Sequence, residues 1–338
     1  MVDSVAKNRE DILLEVKGLK TYFHTEYGVV RAVNGVDITF PRGKVVGVVG
    51  ESGCGKSVTA LSIMQLVSQP PGKIEAGTIM YYPEDEAPID ILSLNPKERK
   101  MRELRGKELA MIFQEPMTSL NPIYTVGDQI IEKVQVHFPM DRNEAKEYAI
   151  DMLNKVGIPD PAQRVDEYPH QMSGGMRQRA MIAIALACDP RFLIADEPTT
   201  ALDVTVQAQI LILMQDLQQE FGTSIMLVTH DLGVVGEMAD VVAVMYMGKV
   251  VEYADVQTLF YEPRHPYTRG LLRSIPLIGQ SGARWLSPIE GMLPDPYDQI
   301  IGCSFAARCP HRTEQCQHET PPWLESEDGR GVRCWLYA

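Results

Sequence analysis

Short apolar runs alternate with amphipathic stretches over most of the chain. The apolar runs lie at residues 44–50, 109–113, 191–195, 224–228 and 241–246. Apolar positions recur at helical spacing in residues 143–156, 175–188 and 204–220. Buried strands that alternate with amphipathic helices are typical of a parallel sheet covered by helices on both faces. The pattern therefore predicts an α/β fold.

Two segments depart from this alternation. Residues 125–170 show helical spacing without a buried strand, so we expect an inserted helical subdomain at about 115–175. From residue 262 onward, prolines interrupt every long periodic run. We therefore predict a first domain over residues 1–261 and a C-terminal extension over residues 262–338.

The length and composition are those of a globular protein. The 338 residues, 45% hydrophobic and 23% charged, exclude global disorder and suffice for two domains of ordinary size. With 32 basic and 45 acidic residues the net charge is −13, so nucleic acid is not an expected partner. The longest apolar stretch, residues 180–188, is too short to span a membrane, and the N-terminus lacks an apolar signal region. Any membrane role is therefore expected to come through partners.

A glycine-rich loop follows the first of these apolar runs. Its residues are Gly50, Glu51, Ser52, Gly53, Cys54, Gly55, Lys56 and Ser57, followed by Val58. They match G-x-x-x-x-G-K-[ST] between a predicted strand and a predicted helix, which is the context this motif requires. In such a loop backbone N–H groups surround a phosphate, Lys56 reaches the β- and γ-phosphate oxygens, and Ser57 binds Mg²⁺. For Cys54 we expect a backbone contribution; the alternative is a redox role, because a helix N-terminus lowers the pKa of a thiol.

Two acidic residues follow the apolar run at 191–195. Asp196 and Glu197 would stand at the C-terminal end of a parallel strand, where open α/β sheets bind ligands. There Asp196 can hold Mg²⁺, and Glu197 can act as general base on an attacking water. Together with the phosphate loop, the pair indicates a site for phosphoryl transfer.

From about residue 13 to residue 261 the motifs resemble those of ABC transporter ATPases, in the family's order. The matching residues outside the phosphate loop are Phe23, Gln114, Ser173, Gly174, Gly175, Asp196, Glu197, Asp203 and His230. The resemblance implies an ABC-type P-loop ATPase core with an N-terminal antiparallel β region, which hydrolyses ATP with Mg²⁺. One departure stands in the signature motif, where Met172 and Met176 replace the usual leucine and glutamine.

The resemblance also implies a role for each motif. Gln114 would contact Mg²⁺ and the attacking water, and His230 would contact the γ-phosphate. Ser173 and its glycines would meet the ATP bound by a second subunit, and Asp203 would belong to the D-loop beside them. Phe23 or Tyr22 would stack on adenine, with Phe23 favoured by its spacing from the following strand.

The sequence after residue 261 narrows the subfamily. Residues 265–272, HPYTRGLL, with Pro276 beyond them, resemble the segment that follows the cassette in oligopeptide and dipeptide importer ATPases. The resemblance implies peptide import, driven by a peripheral subunit at the cytoplasmic face of the membrane. Its partners would be a second, non-identical ATPase subunit, two transmembrane permeases and an extracytoplasmic peptide-binding protein. The alternatives are import of nickel or another small solute, and a soluble ABC ATPase of translation or DNA maintenance.

Four cysteines crowd into the end of the chain. They are Cys303, Cys309, Cys316 and Cys334. A metal could cross-link this proline-rich segment, and four sulfur ligands suit either Zn²⁺ or an iron–sulfur cluster. The spacing decides for neither, and His311 or His318 could replace one ligand. The resemblance to peptide-importer ATPases implies a [4Fe-4S] cluster, with Zn²⁺ as the alternative.

Overall fold

The structure is a computed structural model that describes residues 11–84, 86–200, 202–274 and 289–338. Ala201 of the D-loop segment and Pro276 lie outside the described residues. The strands are β1 Ile12–Thr25, β2 Gly28–Pro41, β3 Val45–Val49, β4 Gly72–Tyr81, β5 Ile89–Asp90, β6 Leu109–Ile112, β7 Phe192–Asp196, β8 Ser224–Thr229, β9 Val241–Tyr246, β10 Lys249–Asp255, β11 Leu324–Glu325 and β12 Gly331–Val332.

Helices account for most of the remaining regular structure. They are α1 Lys56–Ile63, α2 Arg99–Glu103, α3 Pro116–Ser119, α4 Val126–His137, α5 Arg142–Lys155, α6 Pro161–Arg164, α7 Gly174–Leu186, α8 Val204–Phe221, α9 Leu232–Met238, α10 Val256–Tyr261, α11 Pro266–Arg273 and α12 Glu314–His318. The chain divides into two compact units, Met1–Ser93 with Thr229–Ala338, and Leu94–Val228.

The first unit contains an antiparallel sheet in the order β2-β1-β4-β5. Long strands β1 and β2 pair along most of their length, and β4 pairs with the other edge of β1. Leu14, Val16 and Leu19 on β1 are buried, as are Phe40 on β2 and Ile79 on β4. This sheet is the N-terminal antiparallel β region implied by the resemblance.

A second group of strands in the same unit positions the phosphate loop. Strand β3 pairs in parallel with β9, which pairs in antiparallel fashion with β10. Every residue of β3 and of β9 is buried, as expected for strands covered on both faces. Because neither strand has an exposed face, polar chemistry can begin only where β3 ends.

The C-terminal extension is tied to β10 through a buried carboxylate. Strand β12 pairs with β10, and Glu252 on β10 is fully buried. Glu252 accepts hydrogen bonds from the backbone N–H groups of Arg264 at 2.7 Å and His265 at 2.8 Å, and its Oε1 lies 3.3 Å from the Arg330 guanidinium. A buried charge with three donors is satisfied, and it fixes both ends of the extension at one point.

The second unit contains parallel strands β6, β7 and β8, paired in that order. All residues of these three strands are buried. Between β6 and β7 the chain forms helices α3 to α7, of which α3 to α6 lie within residues 115–175, where the inserted helical subdomain is expected. Several of these helices begin at a side chain that accepts an N–H group of the first turn, such as Thr125 of α4 and Asp141 of α5.

The periodicity located the core elements well. The five predicted buried strands are found as β3, β6, β7, β8 and β9, and the three predicted helices as α5, α7 and α8.

Among the described residues, no helix combines the length and apolarity needed to cross a membrane.

We expect the substitution Glu252→Gln to destabilise the protein by about 3 kcal/mol, because one amide N–H₂ would face the donors that the carboxylate accepts. Urea unfolding of the full chain measures this loss. As the matched control, Arg99→Gln removes an exposed ion pair with Glu103 and should leave the midpoint unchanged. Equal midpoints for Glu252→Gln and the wild type would contradict the anchoring role of Glu252.

Candidate nucleotide-binding site

The loop after β3 requires glycine at two positions. Gly50, Gly53 and Gly55 have φ values of 154°, 80° and 104°, which side chains rarely adopt. A Cβ atom at Gly50 would overlap the carbonyl oxygen of Met245, and one at Gly55 would overlap that of Ala32. A Cβ atom at Gly53 would meet nothing within 4 Å. Glycine at positions 50 and 55 therefore lets the loop pack directly against the backbone at Met245 and Ala32.

Lys56 is held within the loop that it closes. It is the first residue of α1, its exposed fraction is 5%, and its ammonium group donates to the carbonyl oxygens of Gly50 at 2.8 Å and Glu51 at 3.2 Å. These bonds fold the loop around the lysine side chain. A cation at this place beside the N-terminus of a helix can attract the oxygens of a phosphate.

Cys54 lies at the base of the same loop. Its side chain is buried, and its carbonyl oxygen accepts the N–H of Gly248 at 2.9 Å. Burial raises the pKa of the Cys54 thiol, although the neighbouring Lys56 lowers it in part. A raised pKa disfavours the thiolate, which weighs against the redox alternative and favours a backbone role for Cys54.

The C-terminal extension contacts the loop at Glu51, a contact that the sequence alone did not suggest. The Glu51 carboxylate accepts two hydrogen bonds from the Arg308 guanidinium, at 2.7 and 3.0 Å. The Glu51 backbone N–H donates to the hydroxyl oxygen of Tyr267 at 2.9 Å. The only signal in the sequence was Tyr267 within the HPYTRGLL segment, since nothing marked Arg308 as a partner of a residue so far away along the chain.

In the second unit, the predicted base and the predicted Q-loop glutamine are in direct contact. The Gln114 amide donates to Glu197 Oε2 at 2.9 Å, and the Thr200 hydroxyl donates to the same oxygen at 2.9 Å. Glu197 has a φ of 47°, and its backbone N–H donates to Val228 at 2.9 Å. Two hydrogen-bond donors, neither of them on β7, therefore fix the orientation of the Glu197 carboxylate. Thr200 is a positioning residue that the sequence did not single out.

Asp196 ends β7 with an exposed fraction of only 5%. A carboxylate buried at this depth needs hydrogen-bond donors or a cation. Its neighbour Pro198 accepts a hydrogen bond from the buried Gln178 on α7, which fixes the turn that follows the strand. Asp196 is therefore buried at the end of the strand, whereas the next residue, Glu197, is partly exposed.

The signature segment begins α7. Ser173 precedes the helix, and its hydroxyl accepts the N–H of Met176 at 3.3 Å. Met172 is buried with an exposed fraction of 3%, so the methionine supplies an apolar anchor in place of leucine. Gly174 and Ser173 are exposed, and a Cβ atom at Gly175 would lie 3.1 Å from Val206. The segment presents a hydroxyl and backbone N–H groups at the start of a helix, as the resemblance implies.

The remaining predicted residues lie at element ends or on the β1 strand. Asp203 accepts the N–H of Val206 at 2.9 Å at the start of α8, and His230 is exposed after β8. On β1 the Tyr22 hydroxyl donates to Asn34, and the Arg31 guanidinium lies 5.8 Å from the centre of the Tyr22 ring. The Tyr22 ring is thus already covered by a cation, which favours half-buried Phe23 for stacking.

The four C-terminal cysteines line one cavity of about 100 Å³ in the first unit. Burial, together with smaller contributions from the other three cysteines, raises the pKa of the Cys303 thiol to about 11. Among the described residues, no group of three or more His, Cys, Asp and Glu side chains could hold a single metal ion as they stand. The four cysteines therefore line a common cavity but do not form a site for a single metal ion as they stand.

Comparisons with known proteins identify the family. The ABC transporter family profile matches residues 33–200, and that of the oligopeptide/dipeptide transporter C-terminal region matches residues 251–316. The oligopeptide transport ATP-binding protein AppD of Bacillus subtilis is 53% identical over 325 residues, which cover 96% of this chain and 97% of AppD. This chain belongs to the ABC transporter family.

Further relatives of this ABC transporter subunit agree. The dipeptide transport ATP-binding protein DppD of Escherichia coli is 49% identical over 322 residues, covering 95% of this chain and 96% of DppD. Among solved structures, dimeric MJ0796, a bacterial ABC transporter cassette, has a TM-score of 0.63 at 24% identity and covers 72% of this chain and 99% of its own. CbiO1 from Clostridium perfringens has a TM-score of 0.61 at 27% identity, and the match covers 75% of this chain and 92% of CbiO1. These similarities confirm the predicted fold class and ATPase activity.

We expect Gly55→Ala to destabilise the ABC subunit by about 2–4 kcal/mol, because the new methyl group overlaps a backbone carbonyl as well as straining φ. Gly53→Ala is the matched control: it carries the strain of a positive φ without the overlap, and should lose only about 1 kcal/mol. Urea unfolding of both variants measures the difference. Equal losses would show that the close approach to Ala32 does not constrain the loop.

Proposed function

We propose that this chain is the ATP-hydrolysing subunit that energises import of di- and oligopeptides, and that it lies peripherally at the cytoplasmic face of the membrane. The observation that carries this proposal is the match of residues 251–316 to the C-terminal region of oligopeptide/dipeptide transporters, behind the ABC transporter match. The match to the peptide transport proteins AppD and DppD extends along nearly the whole length of each relative. This weighs against a soluble ABC ATPase of translation or DNA maintenance, and it favours peptide over nickel as cargo.

ATP would bind at the loop after β3. In this proposal the loop residues from Gly50 to Val58 surround the phosphates, Lys56 neutralises part of their charge, and Phe23 stacks on the adenine. The support is local: three glycines of the loop adopt positive φ values, and the Lys56 ammonium group donates to the loop carbonyl oxygen of Gly50. Phosphoryl transfer depends on such positioning and charge neutralisation.

Ser57, Asp196 and Gln114 would hold Mg²⁺. Bound Mg²⁺ neutralises charge on the β- and γ-phosphates. The donor set fits, since hydroxyl, carboxylate and amide oxygens are the hard ligands that Mg²⁺ prefers. Mg²⁺ usually takes only one or two protein carboxylates and keeps several waters, so it needs no cluster of three acidic residues. Asp196 is nearly buried, which suits a carboxylate that meets a cation.

Glu197 would be the general base for the attacking water. The carboxylate accepts hydrogen bonds from Gln114 and Thr200 on the same oxygen, Oε2. These two donors fix the orientation of the carboxyl group, which in this proposal accepts a proton from the attacking water. Gln114, which donates a hydrogen bond to Glu197, would contact Mg²⁺ and the attacking water, and His230 would contact the γ-phosphate.

A second subunit would complete the site. In this proposal one chain would supply Lys56, Glu197 and His230 to the γ-phosphate, and a second chain would supply the groups on the opposite side. Ser173, Gly174 and Gly175 of a partner, beside its Asp203, would close that face with N–H groups at a helix N-terminus. In an importer this second subunit would be a non-identical ATPase, and the further partners would be two permeases and a peptide-binding protein. Release of phosphate would separate the two ATPases and reset the permeases.

We expect Glu197→Gln to lower ATP hydrolysis and peptide uptake together by about a hundredfold or more, while ATP binding persists, because an amide cannot accept the proton. The measurement uses the assembled transporter in proteoliposomes, with hydrolysis and uptake of labelled peptides recorded side by side.

Asp216→Asn serves as the matched control, since it neutralises an exposed carboxylate on α8 and should leave both rates unchanged. Wild-type hydrolysis by the Glu197 variant would remove Glu197 from the base role. Stimulation of hydrolysis by nickel or a sugar, but not by peptides, would overturn the proposed cargo.

We also propose that the four C-terminal cysteines hold a [4Fe-4S] cluster. The support is that all four side chains line one cavity and that the other three lie near enough to Cys303 to add to the rise that burial causes in its pKa. A single tetrahedral Zn²⁺ would need the sulfurs about 4 Å apart. As they stand, the described residues contain no group of three or more His, Cys, Asp and Glu side chains that could hold one metal ion. A larger inorganic core suits four thiolates spread around a cavity. The cluster would cross-link the extension and could exchange one electron.

We expect the chain purified without oxygen to contain about four irons and four acid-labile sulfides and to absorb broadly in visible light. Cys303→Ser should lose most of the iron, whereas Cys188→Ser, on a cysteine outside the cavity, should retain it. One zinc per chain, or no metal at all, would refute the cluster and leave the ATPase assignment intact.

A further inference from the structure

We infer that Arg308 is a positioning residue for ATP binding, which holds the phosphate-binding loop through Glu51. The C-terminal extension would thus set the affinity of the subunit for nucleotide, besides any role of its cysteines. The inference rests on the proposed role of the loop after β3 as the phosphate site. All the contacts that carry it lie within the first compact unit.

The Arg308 side chain is held by several contacts besides those to the phosphate-binding loop. Its side chain is 4% exposed, its Nε donates to the carbonyl oxygen of Glu290 at 3.2 Å, and its Nη2 donates to that of Ile289 at 3.2 Å. The guanidinium carbon lies 5.9 Å from the centre of the Tyr246 ring. A planar cation anchored on so many sides is preorganised to hold one carboxylate in one orientation.

Glu51 is fixed at both its side chain and its backbone. The Arg308 fork holds the carboxylate, and the Tyr267 hydroxyl accepts the backbone N–H. The carbonyl oxygen of the same residue accepts a hydrogen bond from Lys56. One loop residue therefore links the extension directly to the cation that would meet the phosphates.

The Tyr267 hydroxyl is itself supported by the extension. Tyr267 is fully buried, and its ring packs against Tyr246 at 4.7 Å and Phe305 at 5.4 Å between centres. Phe305 precedes Arg308 by one helical turn, so a single short segment supplies both the ring and the guanidinium. The loop is thereby held from two directions by neighbouring residues of one segment.

Loss of the Arg308 charge would have two effects of the same sign. The Glu51 carboxylate, 27% exposed, would remain as an unpaired negative charge beside an anion-binding loop and repel the triphosphate. The loop would also lose part of its order, which ATP would have to restore on binding. Neither effect touches Glu197 or Gln114, so affinity should fall while the chemical step is spared.

The test is Arg308→Gln in the full chain. We expect the Kd for a magnesium-bound non-hydrolysable ATP analogue to rise about tenfold, the order expected for losing one charged hydrogen-bonded contact. In the assembled transporter the KM for ATP should rise to a similar extent, with kcat within about twofold of the wild type. Adding Glu51→Gln to Arg308→Gln should recover part of the affinity, because it removes the stranded charge.

Arg333→Gln is the matched control. Arg333 also lies in the extension, 3.8 Å from the carboxylate of Asp37 and 5.6 Å from the centre of the Trp323 ring, without a contact to the loop. It should lose stability without a change in Kd. A wild-type Kd for folded Arg308→Gln, or an equal rise in Kd for Arg333→Gln, would overturn the inference.

Lys56→Ala separates this inference from the proposal beneath it. If Lys56→Ala binds nucleotide as tightly as the wild type, the loop is not the phosphate site and both ideas fail. If Lys56→Ala abolishes binding while Arg308→Gln leaves it unchanged, the phosphate site stands and only the positioning role of Arg308 is refuted.

Discussion

Complete burial of the central strands is the constraint on which the rest of this structure depends. Strands β3, β7, β8 and β9 expose neither face, so no charged group can reside along them without a large desolvation cost. Three polar parts of the candidate site are consequently placed where a strand stops: the phosphate loop after β3, Asp196 at the last position of β7, and His230 just beyond β8. Rigidity of the strands gives these ends fixed positions, and the turns that follow them supply the geometry.

Local sequence was enough to predict these strand ends, because a buried strand and a glycine-rich loop both leave a signal within a few residues. Lys44 to Gly50 reads as a strand that ends in a loop, and the structure places β3 and the loop there. The helix starts at Ser173 and Asp203 carry equally local signals, since each caps its own first turn. The resemblance to ABC ATPases then supplied roles that spacing could not.

Contacts between distant residues were not predictable in this way. Arg308 and Glu51 are separated by 257 positions, and each is an ordinary charged residue in its own segment. Nothing in the sequence marked Thr200 as a partner of Glu197, although its hydroxyl donates a hydrogen bond to the Glu197 carboxylate. Glu252 interrupts an apolar strand and could have been suspected, but its partners Arg264, His265 and Arg330 are set by how the extension returns to β10. Pairings of this kind depend on tertiary packing, which one sequence does not encode locally.

The cap of α7 shows how one hydroxyl can serve two neighbours at once. The oxygen of Ser173 accepts an N–H of its own helix, and the hydrogen of the same hydroxyl can be donated away from the chain. Aspartate or asparagine would cap the helix as well as serine does. Aspartate, however, would present negative charge to an approaching anion, and asparagine would place a larger amide there. Serine can therefore cap the helix without presenting negative charge or a larger group to an approaching anion. Helix stability and anion recognition impose no competing demands at this position.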